Sequence, residues 1–257
     1  EEGYSLAPLA SQFLVKGRKE YVGDQVLHHT NTWASWGRLD ELIREGRTLL
    51  PYDAGYVDVP TYWADYMMGQ HNRAESGQAR YRVESVNIGE RRKLLDLGGG
   101  TASYSIALCG ANPQLRAVVV DQKEPLSIAK PLIEEQNLQD RITLLEGDFL
   151  EVGLGTDYDA ALISGVVLIS PEEDSRRLFK RAYDALVPGG IVIVQDYLRI
   201  DHSPERMKLD TMEHMYVMVA FDPGAADREG EEVASWLQDS GFINTQMIPL
   251  PTQLGLI

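Results

Sequence analysis

Three glycines, Gly98, Gly99 and Gly100, stand between the acid-bearing apolar run Leu94-Leu95-Asp96-Leu97 and a segment, Thr101-Ala102-Ser103-Tyr104, able to start a helix. Strand, tight turn and helix N-terminus in that order can cradle a nucleotide. Glycine lets the backbone approach a ligand or take φ > 0, and a helix N-terminus presents free N–H groups. A plain strand-to-helix turn in any α/β protein gives the same pattern. The next apolar run, Ala117 to Val120, ends in Asp121, about 20 residues beyond the glycines, where doubly wound folds place an acid on ribose hydroxyls. Glycine turn plus Asp121 also fits a nicotinamide-dependent dehydrogenase.

Ligands of open α/β sheets bind outside the carboxyl ends of the strands, so the residues following each apolar run are the candidates for chemistry. Gly147-Asp148-Phe149 follow the third run, Ser164-Gly165 the fourth and Asp196 the fifth. An acid followed by an aromatic suits an adenine, the Asp148 carboxylate accepting from the amino group while the Phe149 ring packs on the base. Capping of the next turn is the other role open to Asp148.

These residues need a scaffold that gathers strand ends. Strand-like runs at 94–97, 115–120, 141–146, 159–164 and 190–195 alternate with helical segments at about 101–109, 125–137, 172–186 and 204–220. That alternation predicts a parallel sheet, and right-handed crossovers put helices on both faces. Leu186-Val187-Pro188-Gly189-Gly190 reads as a helix stop and a strand start. After a helix at about 229–240, Gly241-Phe242 is predicted to open a further strand, and Leu254 to Ile257 one more. Upstream, residues 1 to about 50 predict short helices, and a second helical stretch runs from about Val59 to Val86. In it Tyr62, Tyr66 and Met67 form a stripe whose plainest use is packing against the sheet.

Composition narrows the function. The 257 residues, 44% hydrophobic, can bury the core of one α/β domain plus an appendage. A net charge of −15 repels a phosphate backbone, so small-molecule chemistry is favoured over nucleic acid. The single cysteine, Cys109, excludes disulfides within the chain and reads as a core thiol. No metal site is predicted. No apolar run reaches transmembrane length and no signal peptide opens the chain, so the expectation is a cytoplasmic protein without a membrane partner. The start at Glu1-Glu2-Gly3-Tyr4, with no methionine, reads as a fragment or trimmed chain.

Leu-Leu-Asp-Leu-Gly-Gly-Gly at 94–100, Val-Val-Asp at 119–121, Glu-Gly-Asp-Phe at 146–149, Pro-Gly-Gly at 188–190 and Asp222-Pro223-Gly224 together resemble the S-adenosylmethionine-dependent small-molecule O-methyltransferases of the caffeate and acetylserotonin type. The resemblance covers nearly the whole chain. It implies an α/β, Rossmann-like class I methyltransferase fold with a mostly parallel seven-stranded sheet, preceded by an N-terminal helical segment. Residues 1–90 would form the helical linker and substrate lid, and 91–257 the cofactor-binding domain. Tyr4 to Pro8 resembles the junction where the family's winged-helix dimerisation domain ends, and Trp33 to Gly46 its linker helices. A homodimer is therefore expected for a longer parent chain, and a monomer or weak dimer for this one.

The cofactor implied is S-adenosylmethionine, with S-adenosylhomocysteine as product. By the resemblance Gly98, Gly99 and Gly100 hold its methionine end, Asp121 its ribose, and Asp148 with Phe149 its adenine, while Ser164 lies beside it and Asp96 belongs to the same set. Met68 and Met218 match methionines lining the substrate pocket, with His71 close in sequence. One departure is decisive for chemistry. The family's catalytic segment reads Leu-His-Asp-Trp, with the histidine as general base, and the stretch here is Val167-Leu168-Ile169-Ser170, which places Leu168 on the substrate side where a base would stand. The two acids that hold that histidine correspond to Asp196 and Asp227. They could act as base, bind a cationic substrate, or be ordinary solvated acids. His214 is a further candidate acid or base, and a satisfied structural histidine gives the same pattern. A phenol with pKa about 10 needs a base, whereas a carboxylate, an acidic enol or a neutral amine does not. Loss of the histidine thus leaves C-, N- or S-methylation open, and admits a non-catalytic cofactor- or substrate-binding relative.

Overall fold

The computed structural model describes residues 3–221 and 227–257, so Asp222-Pro223-Gly224 lies outside the described residues, as does the side chain of Met218. Four short helices come first: α1 Pro8–Phe13, α2 Gly23–Asn31, α3 Trp33–Trp36 and α4 Leu39–Glu45. Helix α5, Val59–Arg73, begins where the Asp58 carboxylate accepts the Thr61 N–H at 2.9 Å, with proline in its first turn. A π-turn, Ala74–Gln78, then bends the chain at Gly77 (φ 146°) into α6, Ala79–Ser85.

The remainder alternates as the sequence predicts. Its elements are β1 Lys93–Leu97, α7 Ser103–Ala111, β2 Arg116–Asp121, α8 Lys123–Glu135, β3 Ile142–Glu146, β4 Tyr158–Ser164, α9 Glu172–Ala185, β5 Leu186–Asp196, β6 Leu198–Arg199, α10 Pro204–Ala220, β7 Arg228–Glu229, α11 Gly230–Asp239, β8 Ile248–Pro249 and β9 Gly255–Leu256. Seven strands form one sheet in the order β3-β2-β1-β4-β5-β9-β8. The first five run parallel, while β9 pairs antiparallel with both β5 and β8. In β1 successive side chains go to opposite faces: Leu94 joins Leu108, Val119 and Ile133, whereas Leu95 and Leu97 join Val120, Ile163 and Phe179. Burial on both faces is why this strand reads as an unbroken apolar run.

One predicted strand is corrected. Gly241-Phe242 opens no strand; Gly241 (φ 110°) stops α11, and the Phe242 N–H donates to the Leu237 carbonyl at 3.1 Å. That closure is a helix-terminating motif, and the edge strand starts only at Ile248. At the other end of the chain α2 lies tight on α5. A Cβ on Gly69 would sit 2.7 Å from Gln25 Oε1, and Asn72 Oδ1 accepts the Asp24 N–H at 3.0 Å. Among the described residues no helix is long and apolar enough to cross a membrane.

Candidate active site

The turn after β1 is one that only glycine can build. Gly98 and Gly100 take φ values of 71° and 54°, and a Cβ on Gly98 would lie 2.5 Å from Val166 Cγ2. At Gly99 a Cβ would meet Val119 at 2.6 Å and the Asp96 carboxylate at 2.8 Å. The Asp121 carboxylate, at the end of β2, ties the turn down: Oδ2 accepts the Gly100 N–H and Oδ1 the Gln122 N–H, each at 2.7 Å. Burial raises the Asp121 pKa, and those two N–H groups oppose the rise.

A cavity of about 540 Å³ opens beside this turn, within the size range of small-molecule sites. One part of its wall comes from the strand ends: Asp96, Gly98, Gly99, Gly100, Asp121, Phe149, Ser164 and Val166. Another comes from a single face of α5, where Val59, Trp63, Tyr66, Met67 and Gln70 recur at helical spacing. Ile169 and Phe221 complete that apolar part, with the Phe221 ring 5.6 Å from Tyr66. Asp96 is buried; Oδ2 accepts the Ser105 hydroxyl at 2.6 Å, while Oδ1 has no partner among the described residues. Burial pushes its pKa up to about 6 against the Ser105 bond and the nearby Arg82 charge.

The structure thus brings Asp96, the three glycines, Asp121, Phe149 and Ser164 to one cavity. Other predicted residues lie apart from it. Asp148 is exposed, and its Oδ1 accepts the Leu150 N–H at 2.8 Å, the turn-capping role. Met67 faces the cavity instead of Met68, because the lining face of α5 repeats from Trp63 to Met67. His71 stands one residue behind the wall, its Nδ1 2.8 Å from the hydroxyl of the lining residue Ser103. Leu168 is buried with Tyr216, Val217, Ala220 and Phe221, and Ile169 lines the cavity in its place. His214 is half-buried on α10 and also outside the lining set, its Nδ1 without a partner among the described residues.

Neither acid proposed as a base opens onto the cavity. Asp196 hangs a loop: Oδ2 accepts the Val167 and Leu168 N–H groups at 2.8 and 3.2 Å, and Oδ1 accepts that of Tyr197 at 2.9 Å. Burial raises its pKa to about 6 even so. Asp227 is buried, its Oδ1 without a partner among the described residues, and burial, then Glu213 and Asp210, push it up to about 7. Sequence reasoning read Tyr66 and Met67 on α5 as packing and gave no role to Val59, Trp63 and Gln70 on the same face, and it missed Arg82. That arginine is fully buried on α6, stacked 4.0 Å from the Tyr104 ring, with Nη2 donating to Ser164 Oγ at 3.1 Å.

Comparison with known proteins agrees with this geometry. The chain is 28% identical over 249 residues to a 3-hydroxy-5-methyl-1-naphthoate 3-O-methyltransferase of Streptomyces sahachiroi, an overlap covering 93% of this chain and 69% of that protein. It is 36% identical over 124 residues to an L-tyrosine C(3)-methyltransferase of Streptomyces lavendulae, covering 48% of this chain and 34% of that one. In fold it matches human N-acetylserotonin methyltransferase, solved in complex with SAM, with a TM-score of 0.84 over 97% of this chain and 73% of that one at 19% identity. The sequence profile of the O-methyltransferase domain matches residues 36–243, and the chain belongs to that family.

Proposed function

We propose that this protein is an S-adenosylmethionine-dependent methyltransferase whose acceptor is a small aromatic molecule. One observation carries the reading: a single cavity joins the glycine turn and Asp121 to an apolar face built by Trp63, Tyr66, Ile169 and Phe221. The cradle fits the cofactor on its own terms. A Cβ at Gly98 or Gly99 would collide with Val166, Val119 or Asp96, so only glycine lets the backbone of the turn line the cavity, and Asp96 Oδ1, unpartnered among the described residues, suits an ammonium group. Asp121 would take the ribose hydroxyls and the Phe149 ring the adenine face, and both line the cavity. When bound, the cofactor supplies a methyl group on a sulfonium sulfur, open to in-line displacement by the acceptor.

The chain's own contribution is positioning and drying. Trp63, Tyr66, Ile169 and Phe221 hold a flat apolar acceptor and exclude water, and orientation of this kind can lower a barrier by roughly 7–11 kcal/mol. No Asp, Glu, His or Lys stands among these four, and burial raises the Tyr66 hydroxyl well above its ordinary pKa, so it stays protonated and offers a hydrogen bond instead of serving as a base. An acceptor that arrives as an anion or a neutral amine, or that carries an activated ring carbon, suits such a site better than a simple phenol. Both relatives above are named for aromatic acceptors, one methylated on oxygen and one on carbon.

Two other readings fare less well. The all-parallel 3-2-1-4-5-6 sheet of dinucleotide-binding enzymes differs from this one, where antiparallel β9 stands beside β5. A relative that binds only the cofactor would have no need of an apolar acceptor face beside the glycine turn. The test is transfer of an isotope-labelled methyl group from S-adenosylmethionine to a panel of hydroxynaphthoates, aminophenols and acidic enols. Labelled product from at least one class is expected. Tight cofactor binding with no transfer across the panel would favour the binding protein.

A further inference from the structure

Helix α5 carries a cation at the end of its cavity-lining face. Tyr66 and Gln70 line the cavity, and Arg73, three residues further on, continues the same face. Its Nη1 donates to the Tyr197 hydroxyl oxygen, and its guanidinium carbon lies 5.8 Å from the centre of that ring. Tyr197 directly follows β5, its own N–H held by Asp196 Oδ1 at 2.9 Å. It lines the cavity and packs, as Tyr66 does, against the cluster of Leu168, Tyr216 and Phe221, which is the acceptor side. The titratable groups that face it are Arg73, Glu213 on α10, Tyr104 on α7 and Tyr66. Glu213 offsets the Arg73 charge through space, since burial raises the Glu213 pKa and Arg73 holds it down. Arg73 therefore needs no anion from a ligand, and its use is to fix the Tyr197 hydroxyl. That oxygen accepts the guanidinium N–H, so its own proton points elsewhere, and no acceptor for it stands among the described residues. Burial raises the Tyr197 pKa against the Arg73 charge, so the group stays a phenol and a donor, strengthened by the cation behind it.

We propose that Tyr197, oriented by Arg73, donates a hydrogen bond to an ionised oxygen of the acceptor, so that the site selects aromatic acceptors bearing an acidic hydroxyl and holds them as anions. The inference rests on the methyl-transfer reading above and names its substrate class. Such an acceptor gives its proton to water as it binds, which answers the lack of a base among Trp63, Tyr66, Ile169 and Phe221. A hydrogen bond to an anion is roughly twice as strong as one between neutral groups, so this donor favours the ionised form over the neutral one. Tyr197 touches the acceptor, and Arg73 is a positioning residue acting through it.

The test uses two probes on the protein saturated with S-adenosylhomocysteine: 4-nitrophenol, whose phenolate absorbs in the visible, and 4-nitroanisole, similar in shape but without an acidic proton. Above the pKa of the free phenol, the wild-type protein should bind the phenolate roughly 10- to 100-fold tighter than the anisole, the range of a hydrogen bond to a charged group. The visible band of the bound probe should persist about 1–2 pH units lower than in water, the same factor expressed as a shift in the probe's ionisation. Tyr197→Phe should bring the affinity ratio close to one and abolish that shift while the anisole binds as before. Arg73→Gln should reduce both in part, and should change neither further in the Tyr197→Phe background. A wild-type ratio near one, or a phenol that binds in its neutral form, overturns the inference without recourse to any variant. A ratio that survives in Tyr197→Phe, or equal loss of both probes, overturns it as well. If Tyr197→Phe weakens S-adenosylhomocysteine instead, the donor serves the cofactor and its assignment to the acceptor fails. Failure of S-adenosylhomocysteine to bind would refute the cofactor reading itself. Saturation by it with neither probe binding would refute the aromatic acceptor, and the inference with it.

Discussion

Asp121 is a residue whose loss would test the cofactor side while leaving the acceptor face alone. Its two oxygens hold the Gly100 and Gln122 N–H groups, so it is aimed at the turn before any ligand arrives. Asp121→Ala should weaken S-adenosylhomocysteine binding by about 1.5–3 kcal/mol with the fold retained, as titration calorimetry and circular dichroism together would show; unchanged affinity would take the ribose away from this acid. Asp227 makes a different prediction. Its pKa stands near 7 in the folded protein, against about 4 for an ordinary aspartate, so its contribution to stability is whole below about pH 4 and is lost as pH rises through 7. Asp227→Asn, neutral throughout, should exceed the wild type at pH 8 by about 1–3 kcal/mol in urea unfolding, with the gap closing toward pH 4. A gap that does not change with pH would put the carboxylate in water. The glycines and Asp121 were legible because an acid closing the next apolar run, about 20 residues on, adds to a glycine turn that is common by itself. Met67 was not separable from Met68, since the choice depends on how α5 is rotated against the turn. Arg82 carried no signal at all: an arginine in an amphipathic run reads as surface.

At the scale of elements, the loop joining β4 to α9 depends on one carboxylate. Asp196 accepts N–H bonds from Val167, Leu168 and Tyr197, and the residues flanking that anchor, Val166 and Ile169, line the cavity. Asp196→Ala should cost about 1–3 kcal/mol of stability, the penalty for stranding buried donors. It should also raise the acceptor KM, because Ile169 loses its support, while the shape of the pH–rate profile stays as in the wild type. A profile that loses its acidic limb would instead make Asp196 the base. The glycine turn is as exacting. Gly98→Ala must bear both a positive φ and a 2.5 Å approach to Val166, and it should lose roughly 1–3 kcal/mol and most cofactor affinity. Thermal unfolding and calorimetry would register both, and an unchanged melting point would mean that Val166 yields without resistance. The alternation of strands and helices was legible from period and punctuation. The π-turn at 74–78 was not, because one glycine in a helical run does not announce a bend, and Gly241-Phe242 serves equally as a helix stop and as a strand opening.

On the scale of the whole molecule, the cavity lies between the strand ends with their glycine turn and one face of α5. The sheet order and the antiparallel β9 separate it from a dinucleotide-binding protein, a distinction that motif spacing alone could not make. The measurement that bears most directly on the account is equilibrium unfolding of the purified chain with S-adenosylhomocysteine or with NAD. Saturating S-adenosylhomocysteine, at 100 times its Kd, should add about 2.7 kcal/mol to the unfolding free energy, and NAD should add nothing. Stabilisation by NAD with none from S-adenosylhomocysteine would contradict the assignment of this cavity.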